Sequence, residues 1–242
     1  MKLDYHSLAS KMPIVAVLGA GGGVGKLVIE QLLEAGGAEV IPVVRSPEKY
    51  SSHFQGLLVR AGDVTDPASL EAALAGVDTV VFAASGSTYF SPVEVDYKGV
   101  VNTLNIAKSN SVKHIVLVSS RLVNPKNRLH PIRVILNNIR YSLMDYKFMG
   151  EEAARHSSVP VTIIRPGGLV GGEGQRGSEK PAGVQYIEAV GAEGSGLQGT
   201  SIHRADVASV VVAAIGNEAA YDKTVELTGR ERTEEDPSVE ER

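Results

Sequence analysis

A short glycine-rich stretch is the first candidate for chemistry in this sequence. Residues 18–26 read LGAGGGVGK. A Walker A loop, Gly-x-x-x-x-Gly-Lys-Ser/Thr, does not fit, because its first glycine would fall on Ala20 and its hydroxyl residue on Leu27. A strict Gly-x-Gly-x-x-Gly does not fit either. The spacing that fits is Gly-x-x-Gly-x-x-Gly, a spacing found in loops that bind the diphosphate of a dinucleotide, at Gly19, Gly22 and Gly25.

The flanks of this glycine loop predict a strand before it and a helix after it. Residues 14–18 are an apolar run typical of a strand buried on both faces of a parallel sheet. After the loop, apolar residues recur at helical spacing until Gly36 and Gly37. A strand, a glycine turn and a helix place backbone N–H groups and the positive helix end where a diphosphate can bind. The alternative is a tight turn without a ligand.

A basic residue at the end of the second predicted strand indicates which dinucleotide binds. Arg45 lies twenty residues after Gly25, where an acid would accept the ribose 2′-hydroxyl of NAD. An arginine suits the 2′-phosphate of NADP instead, and Lys49 could add a donor. The sequence therefore predicts NADP(H) as the cofactor. The alternative is an exposed arginine at a strand end.

The elements that must position these residues alternate between strands and helices. Strands are predicted at 14–18, 39–44, 57–60, 78–83, 114–119, 160–165 and 223–227. Helices are predicted at 23–35, 67–75, 92–110, 138–156 and 205–216. This alternation is typical of an α/β fold with a mainly parallel sheet and helices on both faces. We predict one doubly wound domain of about seven strands over 13–228, an N-terminal extension over 1–12 and a charged, flexible tail over 229–242.

Two segments interrupt the alternation of strands and helices. Residues 121–137 follow the fifth predicted strand, and the glycine-rich residues 167–200 follow the sixth. Both come after carboxyl ends of strands, where ligands bind in open α/β sheets. We expect them to form the substrate side of the site, with 167–200 as a lid or wall. Structural slack in the glycine-rich segment is an equal alternative.

Composition excludes several classes of function. The chain has 242 residues, a net charge of −4 and no basic cluster with interleaved aromatic residues, which disfavours nucleic acid as a partner. It has no cysteine, and its six histidines show no paired ligand spacing, so no metal site is expected. No apolar run approaches the roughly 20 residues of a membrane span. We predict a soluble protein without a membrane partner, located in the cytoplasm, or in an organelle if a transit peptide is removed.

Several further segments carry a family resemblance. They are VVRSPEK, GDVTD, VDTVVFAAS, VDYKGVVNTLNIAK, VKHIVLVSS, VTIIRPGGL and HRADVASVVVAAI, in this order after the glycine loop. With them, the chain resembles an atypical short-chain dehydrogenase/reductase of the NAD(P)-binding group that includes NmrA-like and biliverdin/flavin reductase-like proteins. The resemblance implies a Rossmann fold that spans almost the whole chain.

The resemblance also implies which residues bind the cofactor. The diphosphate loop comprises Gly19, Gly21, Gly22, Gly23, Val24 and Gly25. Residues bordering the adenine would be Asp63 and Val64, and those beneath the adenosine ribose and diphosphate would be Ala83, Ala84 and Ser85. Those along the nicotinamide carboxamide would be Pro166, Gly167 and Gly168.

The catalytic residues of such enzymes match this sequence only in part. Typical members use Tyr-x-x-x-Lys, in which the tyrosine donates a proton and the lysine lowers its pKa and binds the nicotinamide ribose. Lys147 matches the lysine, but Leu143 stands at the tyrosine position. Tyr146 and Tyr141 lie about 100° and about 120° from Lys147 around a helix, so neither replaces the missing acid. Reduction of a flavin, a quinone or a conjugated system can leave the proton to solvent.

Serines at the end of the fifth predicted strand complete the predicted site. The resemblance implies that Ser119 or Ser120 hydrogen-bonds the substrate. The leading hypothesis is an NADPH-dependent reductase that transfers hydride to a small conjugated, quinone-like or flavin-like acceptor. The alternative is a non-catalytic NADP-binding redox sensor or scaffold that acts through a protein partner. A nucleotide-sugar epimerase or dehydratase is weaker, and homo-oligomerisation is left open.

Overall fold

An eight-stranded sheet runs through the part of the chain that the computed structural model describes, which is residues 12–171, 184–189 and 201–229. The strands are β1 Ile14–Leu18, β2 Glu39–Val44, β3 Arg60–Ala61, β4 Thr79–Phe82, β5 His114–Val118, β6 Val161–Pro166, β7 Gly168–Val170, β8 Val184–Ala189, β9 Ser201–His203 and β10 Thr224–Gly229. The helices are α1 Gly23–Ala35, α2 Pro67–Ala73, α3 Gly99–Ser109, α4 Pro131–Ile139, α5 Leu143–Arg155 and α6 Arg204–Ala214. A π-helical segment, Val93–Lys98, runs directly into α3.

The strand order identifies a doubly wound Rossmann fold. The order is β3-β2-β1-β4-β5-β6-β10-β8, and every neighbouring pair is parallel except β10 and β8. A separate parallel pair joins β7 and β9. Because β1 lies between β2 and β4, the direction of winding reverses there, and a crevice opens beyond the carboxyl ends of β1 and β4. The predicted fold class is confirmed.

The core lies on both faces of the sheet, as the apolar runs predict. All five residues of β1 are buried. Ala16 and Leu18 face the cluster that packs under α2, α3 and α5, whereas Val15 and Val17 face the cluster under α1 and α6. Successive side chains of a strand point to opposite faces, so a continuous apolar run supplies both clusters.

Two predicted elements differ from the observed ones, and three observed strands, β7, β8 and β9, were not predicted. The third strand is only Arg60–Ala61, against the predicted 57–60, and β8 is an antiparallel strand within 167–200 that was not predicted. The helix predicted at about 138–156 is observed as α5, and only the last two residues of α4 fall within its range, because Ser142 has a left-handed φ of 48° that separates α4 from α5. Within 121–137, two 3-10 turns precede the start of α4.

The predicted chain ends lie almost wholly outside the described residues. Of the N-terminal extension, only residue 12 is described, and of the tail only Gly229, which ends β10. No helix within the described ranges is long and apolar enough to cross a membrane.

Candidate functional site

The glycine loop lies against the loop that follows β4. The Ala83 N–H donates to the Leu18 carbonyl at 2.9 Å, which ties the two loops together. Gly19 has a left-handed φ of 80°, and a Cβ at this position would lie 2.6 Å from the Ala84 nitrogen. A Cβ at Gly25 would lie 2.4 Å from the Gly19 carbonyl oxygen. The first and third glycines of the motif therefore permit contacts that no side chain would fit.

The start of α1 leaves its positive end available to an anion. Gly22 precedes the helix and its N–H donates to the Gly19 carbonyl at 2.9 Å. No side chain caps this end, and the first turn, which includes Gly23, Val24 and Gly25, contains no acid. Uncapped N–H groups and the helix dipole favour a phosphate at such a position.

Two side chains from distant segments also border the glycine loop. A Cβ at Gly21 would lie 2.3 Å from the Tyr50 hydroxyl oxygen, and one at Gly23 would lie 2.9 Å from Arg204 Cδ. The Arg204 guanidinium also donates to the Gly171 carbonyl. The sequence does not single out either side chain as part of the loop, because each reaches it through tertiary structure rather than through local spacing.

The predicted 2′-phosphate residues lie at the same sheet edge. Arg45 directly follows β2, whose Val43 pairs with Leu18 of β1. Arg45 and Lys49 are both exposed, and neither side chain has an ion pair or hydrogen bond within the described ranges. Because neighbouring strands lie about 4.8 Å apart, the end of β2 that precedes Arg45 lies next to the end of β1, where the glycine loop begins. Their role toward a phosphate stays a prediction.

The predicted adenine residues differ in how much of each side chain is available. Asp63 Oδ1 accepts from the Thr65 N–H at 2.9 Å and from its hydroxyl at 2.8 Å, which forms a local turn. The Val64 side chain is buried, and a Cβ at Gly99 would lie 2.7 Å from Val64 Cγ2. If Val64 borders the adenine as predicted, the contact is made by its backbone.

The remaining predicted cofactor residues occupy two positions along the carboxyl edge. Ala83 and Ala84 are half-buried and Ser85 is exposed, directly after β4. Pro166 is the buried last residue of β6, and the Gly167 N–H donates to the Leu227 carbonyl at 2.9 Å. Gly168 is exposed and begins β7. Their contacts with ribose and carboxamide stay predictions.

Lys147 forms a buried ion pair that the sequence does not predict. Its Nζ lies 2.8 Å from Oδ1 of Asp96, whose side chain is fully buried in the π-helical segment. The other carboxylate oxygen accepts from the Gly86 N–H at 2.8 Å. The Lys147 side chain is 12% exposed, so the ammonium is held at a fixed position at the edge of a small pocket.

The structure distinguishes the two predicted serines. Ser119 lines the same pocket as Lys147 and Asp96, and its Oγ is buried without a hydrogen-bond partner among the described residues. Ser120 Oγ accepts from the Leu122 N–H at 3.2 Å and so caps a 3-10 turn. A buried hydroxyl without a partner is costly unless a ligand or water completes it, and the space beside Ser119 has room for about one water. That this hydroxyl contacts a substrate stays a prediction.

The tyrosine position of the motif is filled by a core residue. Leu143 is the first residue of α5 and is 4% exposed, packed with Val123 and Met144. No group of three His, Asp or Glu side chains suited to a metal occurs in the ranges that the structure describes. Any chemistry in the pocket therefore relies on Lys147, Asp96 and Ser119 among its polar groups.

Comparisons with known proteins agree with this geometry. A protein-family model described as NAD(P)H-binding matches residues 19–218. An uncharacterised chloroplastic protein of Arabidopsis thaliana is 34% identical over 233 residues, which is 92% of this chain and 79% of that protein. Sanguinarine reductase of Eschscholzia californica is 28% identical, with 90% of each chain covered. Quinone oxidoreductase 2 of Escherichia coli is 29% identical over 89% of this chain and 68% of that one.

A solved structure supports the same fold. The short-chain dehydrogenase/reductase of Veillonella parvula in complex with NADP superposes with a TM-score of 0.70, at 14% identity, over 93% of this chain and 99% of that one. The family match covers most of the chain and includes the glycine loop, β4 and Lys147. The chain belongs to the NAD(P)H-binding protein family that this model describes.

Proposed function

We propose that this protein is an NADPH-dependent reductase that transfers hydride to a small quinone-like, flavin-like or otherwise conjugated acceptor. The observation that carries this proposal is the pocket that joins Ser119, Asp96 and Lys147. The pocket lies at the ends of β4 and β5, beside the loop that packs on Gly19. The relatives named as a sanguinarine reductase and a quinone oxidoreductase support an acceptor of this class.

NADPH is preferred over NADH in this proposal because of the charges beyond β2. The exposed cations Arg45 and Lys49 have no carboxylate partner within the described residues, so both remain available to a 2′-phosphate. An acid that would accept a ribose 2′-hydroxyl is missing at the end of β2. A guanidinium can bind a phosphate through two parallel hydrogen bonds.

Each polar group of the pocket has a separate role in the reaction. Bound NADPH supplies a hydride to the acceptor, and the reduced acceptor takes up one proton from solvent to balance the charge. Lys147 binds the hydroxyls of the nicotinamide ribose. Asp96 holds the Lys147 ammonium in place through their 2.8 Å contact. Ser119 Oγ donates a hydrogen bond to the acceptor oxygen or nitrogen that gains electron density.

The leucine at position 143, where typical members have a tyrosine, limits the acceptors that this site can reduce. A simple carbonyl needs an acid to protonate the developing alkoxide, and the motif's tyrosine is replaced by a buried leucine. A quinone or flavin spreads the added charge over a conjugated system and takes its proton from solvent. We therefore expect quinones and flavins to be reduced and simple ketones not to be.

The test is NADPH oxidation with a panel of quinones, flavins and simple carbonyls. Ser119→Ala removes a hydroxyl that has no hydrogen-bond partner among the residues the structure describes, so it should fold normally and lower kcat/KM about tenfold. Ser120→Ala is the matched control and should change kcat/KM less than about twofold, because its hydroxyl only caps a turn. Absence of acceptor-dependent NADPH oxidation across the panel, or an unchanged Ser119→Ala enzyme, would contradict the proposal.

The second candidate function is a non-catalytic NADP-binding sensor or scaffold. The observation that favours it is again Leu143, whose buried side chain replaces the proton donor of typical members. In that case NADPH binds, no acceptor is reduced, and binding changes the affinity for a protein partner. The acceptor panel separates the two functions, because only the reductase oxidises NADPH.

The compartment is proposed from the relatives. The sequence predicts the cytoplasm, or an organelle if a transit peptide is removed. Two Arabidopsis thaliana relatives, 34% and 30% identical, are named chloroplastic, which favours the organelle. Fluorescence of a tagged full-length protein in its own cells distinguishes the two.

A further inference from the structure

Four aromatic side chains gather beside the pocket, and neither the glycine motif nor the catalytic motif includes them. Tyr89 and Phe90 come from the loop after β4, and Tyr141 and Tyr146 from the junction of α4 and α5. The ring centroids of Tyr89 and Phe90 are 4.8 Å apart, and both rings lie about equally far from Tyr141, at 6.0 and 5.9 Å. The Tyr146 centroid is 6.2 Å from that of Tyr141. We call these four residues the aromatic cluster.

The aromatic cluster is exposed, which a purely structural cluster would not be. Tyr89 is 47% exposed, Phe90 69% and Tyr141 45%. The chain has only eight tyrosines, four phenylalanines and no tryptophan, so a third of its large aromatic residues lie at this one place. Contiguous exposed apolar surface on a folded protein marks a binding site more often than single exposed side chains do.

The orientation of the rings leaves their faces open to a further ring. Tyr89 and Phe90 meet edge to face at 87°, and the other three pairs are tilted by 40° to 54°. The edge-to-face contact covers one face of either Tyr89 or Phe90, but no pair in the aromatic cluster is a parallel stack. A flat ligand can stack on such faces with a favourable contribution beyond its buried area.

One backbone and one side-chain hydrogen bond fix the aromatic cluster relative to the pocket. The Tyr141 N–H donates to the Tyr89 carbonyl at 3.0 Å, and Arg140 Nη1 donates to the Gly86 carbonyl at 3.0 Å. The Gly86 N–H is the donor to Asp96, which holds Lys147. The two segments that carry the rings are thus tied to each other and to the ion pair of the pocket.

We propose that the aromatic cluster binds the acceptor, and that the acceptor is a planar aromatic molecule of at least two fused rings. This inference rests on the proposed reductase function and specifies its substrate class. Three rings whose centroids are about 5 to 6 Å apart offer more contact surface than a single six-membered ring covers. A fused system contacts two of them at once, so we expect fused systems to gain affinity that single rings do not.

The test replaces two aromatic side chains with leucine, which removes the rings but keeps apolar side chains at both positions. In the Phe90→Leu, Tyr141→Leu double variant we expect KM for naphthoquinone to rise about tenfold, with kcat within about twofold of wild type. KM for the single-ring benzoquinone should rise less than about threefold, and the Kd of NADPH should not change. Tyr221→Leu is the matched control, because Tyr221 packs on His114 at the opposite edge of the sheet.

Two outcomes would overturn the inference, and each is distinct from failure of the proposed function. If naphthoquinone is reduced but its KM changes equally in the double variant and in Tyr221→Leu, the aromatic cluster is not the acceptor site. If no acceptor is reduced at all, binding of riboflavin to the NADP⁺-bound protein is titrated by quenching of flavin fluorescence. Saturable binding that the double variant loses supports the site without turnover, whereas no binding to wild type rejects it.

Discussion

At the scale of single residues, the Asp96–Lys147 pair is the part of the site with the most direct physical consequence. Asp96 is fully buried, its Oδ1 lies 2.8 Å from Lys147 Nζ and its Oδ2 accepts from the Gly86 N–H. Such a pair contributes little net stability, but removal of one partner leaves the other charge buried and unpaired. The geometry therefore predicts strong coupling between the two residues.

We predict that Asp96→Asn lowers the free energy of unfolding by about 3 kcal/mol. Asparagine can still accept from the Gly86 N–H, so this variant isolates the loss of charge. The Asp96→Asn, Lys147→Met double variant removes both charges and should regain most of that loss. Urea unfolding of the two single variants and the double variant gives the coupling energy. Strictly additive losses would show that the pair is not coupled.

At the scale of elements, the turn between β1 and α1 depends on glycines for packing reasons. A Cβ at Gly25 would lie 2.4 Å from the Gly19 oxygen, so an alanine must displace the loop. We expect Gly25→Ala to cost about 2 kcal/mol of stability and to weaken NADPH binding at least about tenfold. Calorimetric titration and thermal unfolding measure both.

Gly36→Ala is the control for this turn. Gly36 ends α1 with a left-handed φ of 67° and has no atom within 4 Å of its Cβ position. It should lose about 1 kcal/mol of stability through backbone strain alone and bind NADPH as wild type does. If Gly25→Ala binds NADPH as tightly as Gly36→Ala does, the glycine loop does not hold the cofactor.

At the scale of the whole molecule, His114 makes stability depend on pH. It is fully buried at the start of β5, and its Nε2 lies 2.8 Å from Thr162 Oγ1. Burial lowers the pKa of His114 from 6.5 to about 4, against a smaller opposing effect of Asp222. The folded protein therefore keeps this histidine neutral over a pH range in which the unfolded chain binds a proton.

We predict that stability falls by about 3 kcal/mol as pH falls from 6.5 to 4, in addition to losses from other groups. Above pH 6.5 the contribution is fully present, because both states are then neutral at this residue. His114→Gln removes the titration, so urea unfolding from pH 7 to 4 should give a shallower slope for the variant. Parallel slopes for the two proteins would show that His114 does not titrate between these states.

The sequence predicts elements well where a local pattern decides them. The bounds of β1, β2 and α1 agree with the predicted ones. A continuous apolar run that predicts a strand, and a pair of glycines that predicts the end of a helix, are both local signals. The division between α4 and α5 is not local. Arg133 donates to the carbonyls of Leu122, Val123 and Asn124, which folds α4 back onto the preceding turn.

The candidate site follows the same division between local and tertiary signals. Lys147 and Ser119 are identified by family motifs, whereas Asp96, Tyr50 and the aromatic cluster reach the site only through tertiary packing. Composition and spacing do not predict that Asp96 contacts Lys147, which lies 51 positions later in the chain. Such pairs become visible only once the sheet order is fixed.

The central claim is that this chain binds NADPH through the glycine loop and Arg45. The most direct measurement is a pair of titrations, NADPH and NADH, against wild type, Arg45→Ala and, as a control, the exposed Arg128→Ala. We predict that NADPH binds at least about tenfold tighter than NADH, that Arg45→Ala removes the difference and that Arg128→Ala keeps it. Equal affinities in wild type, a preference that survives in Arg45→Ala, or binding of neither nucleotide would contradict the claim.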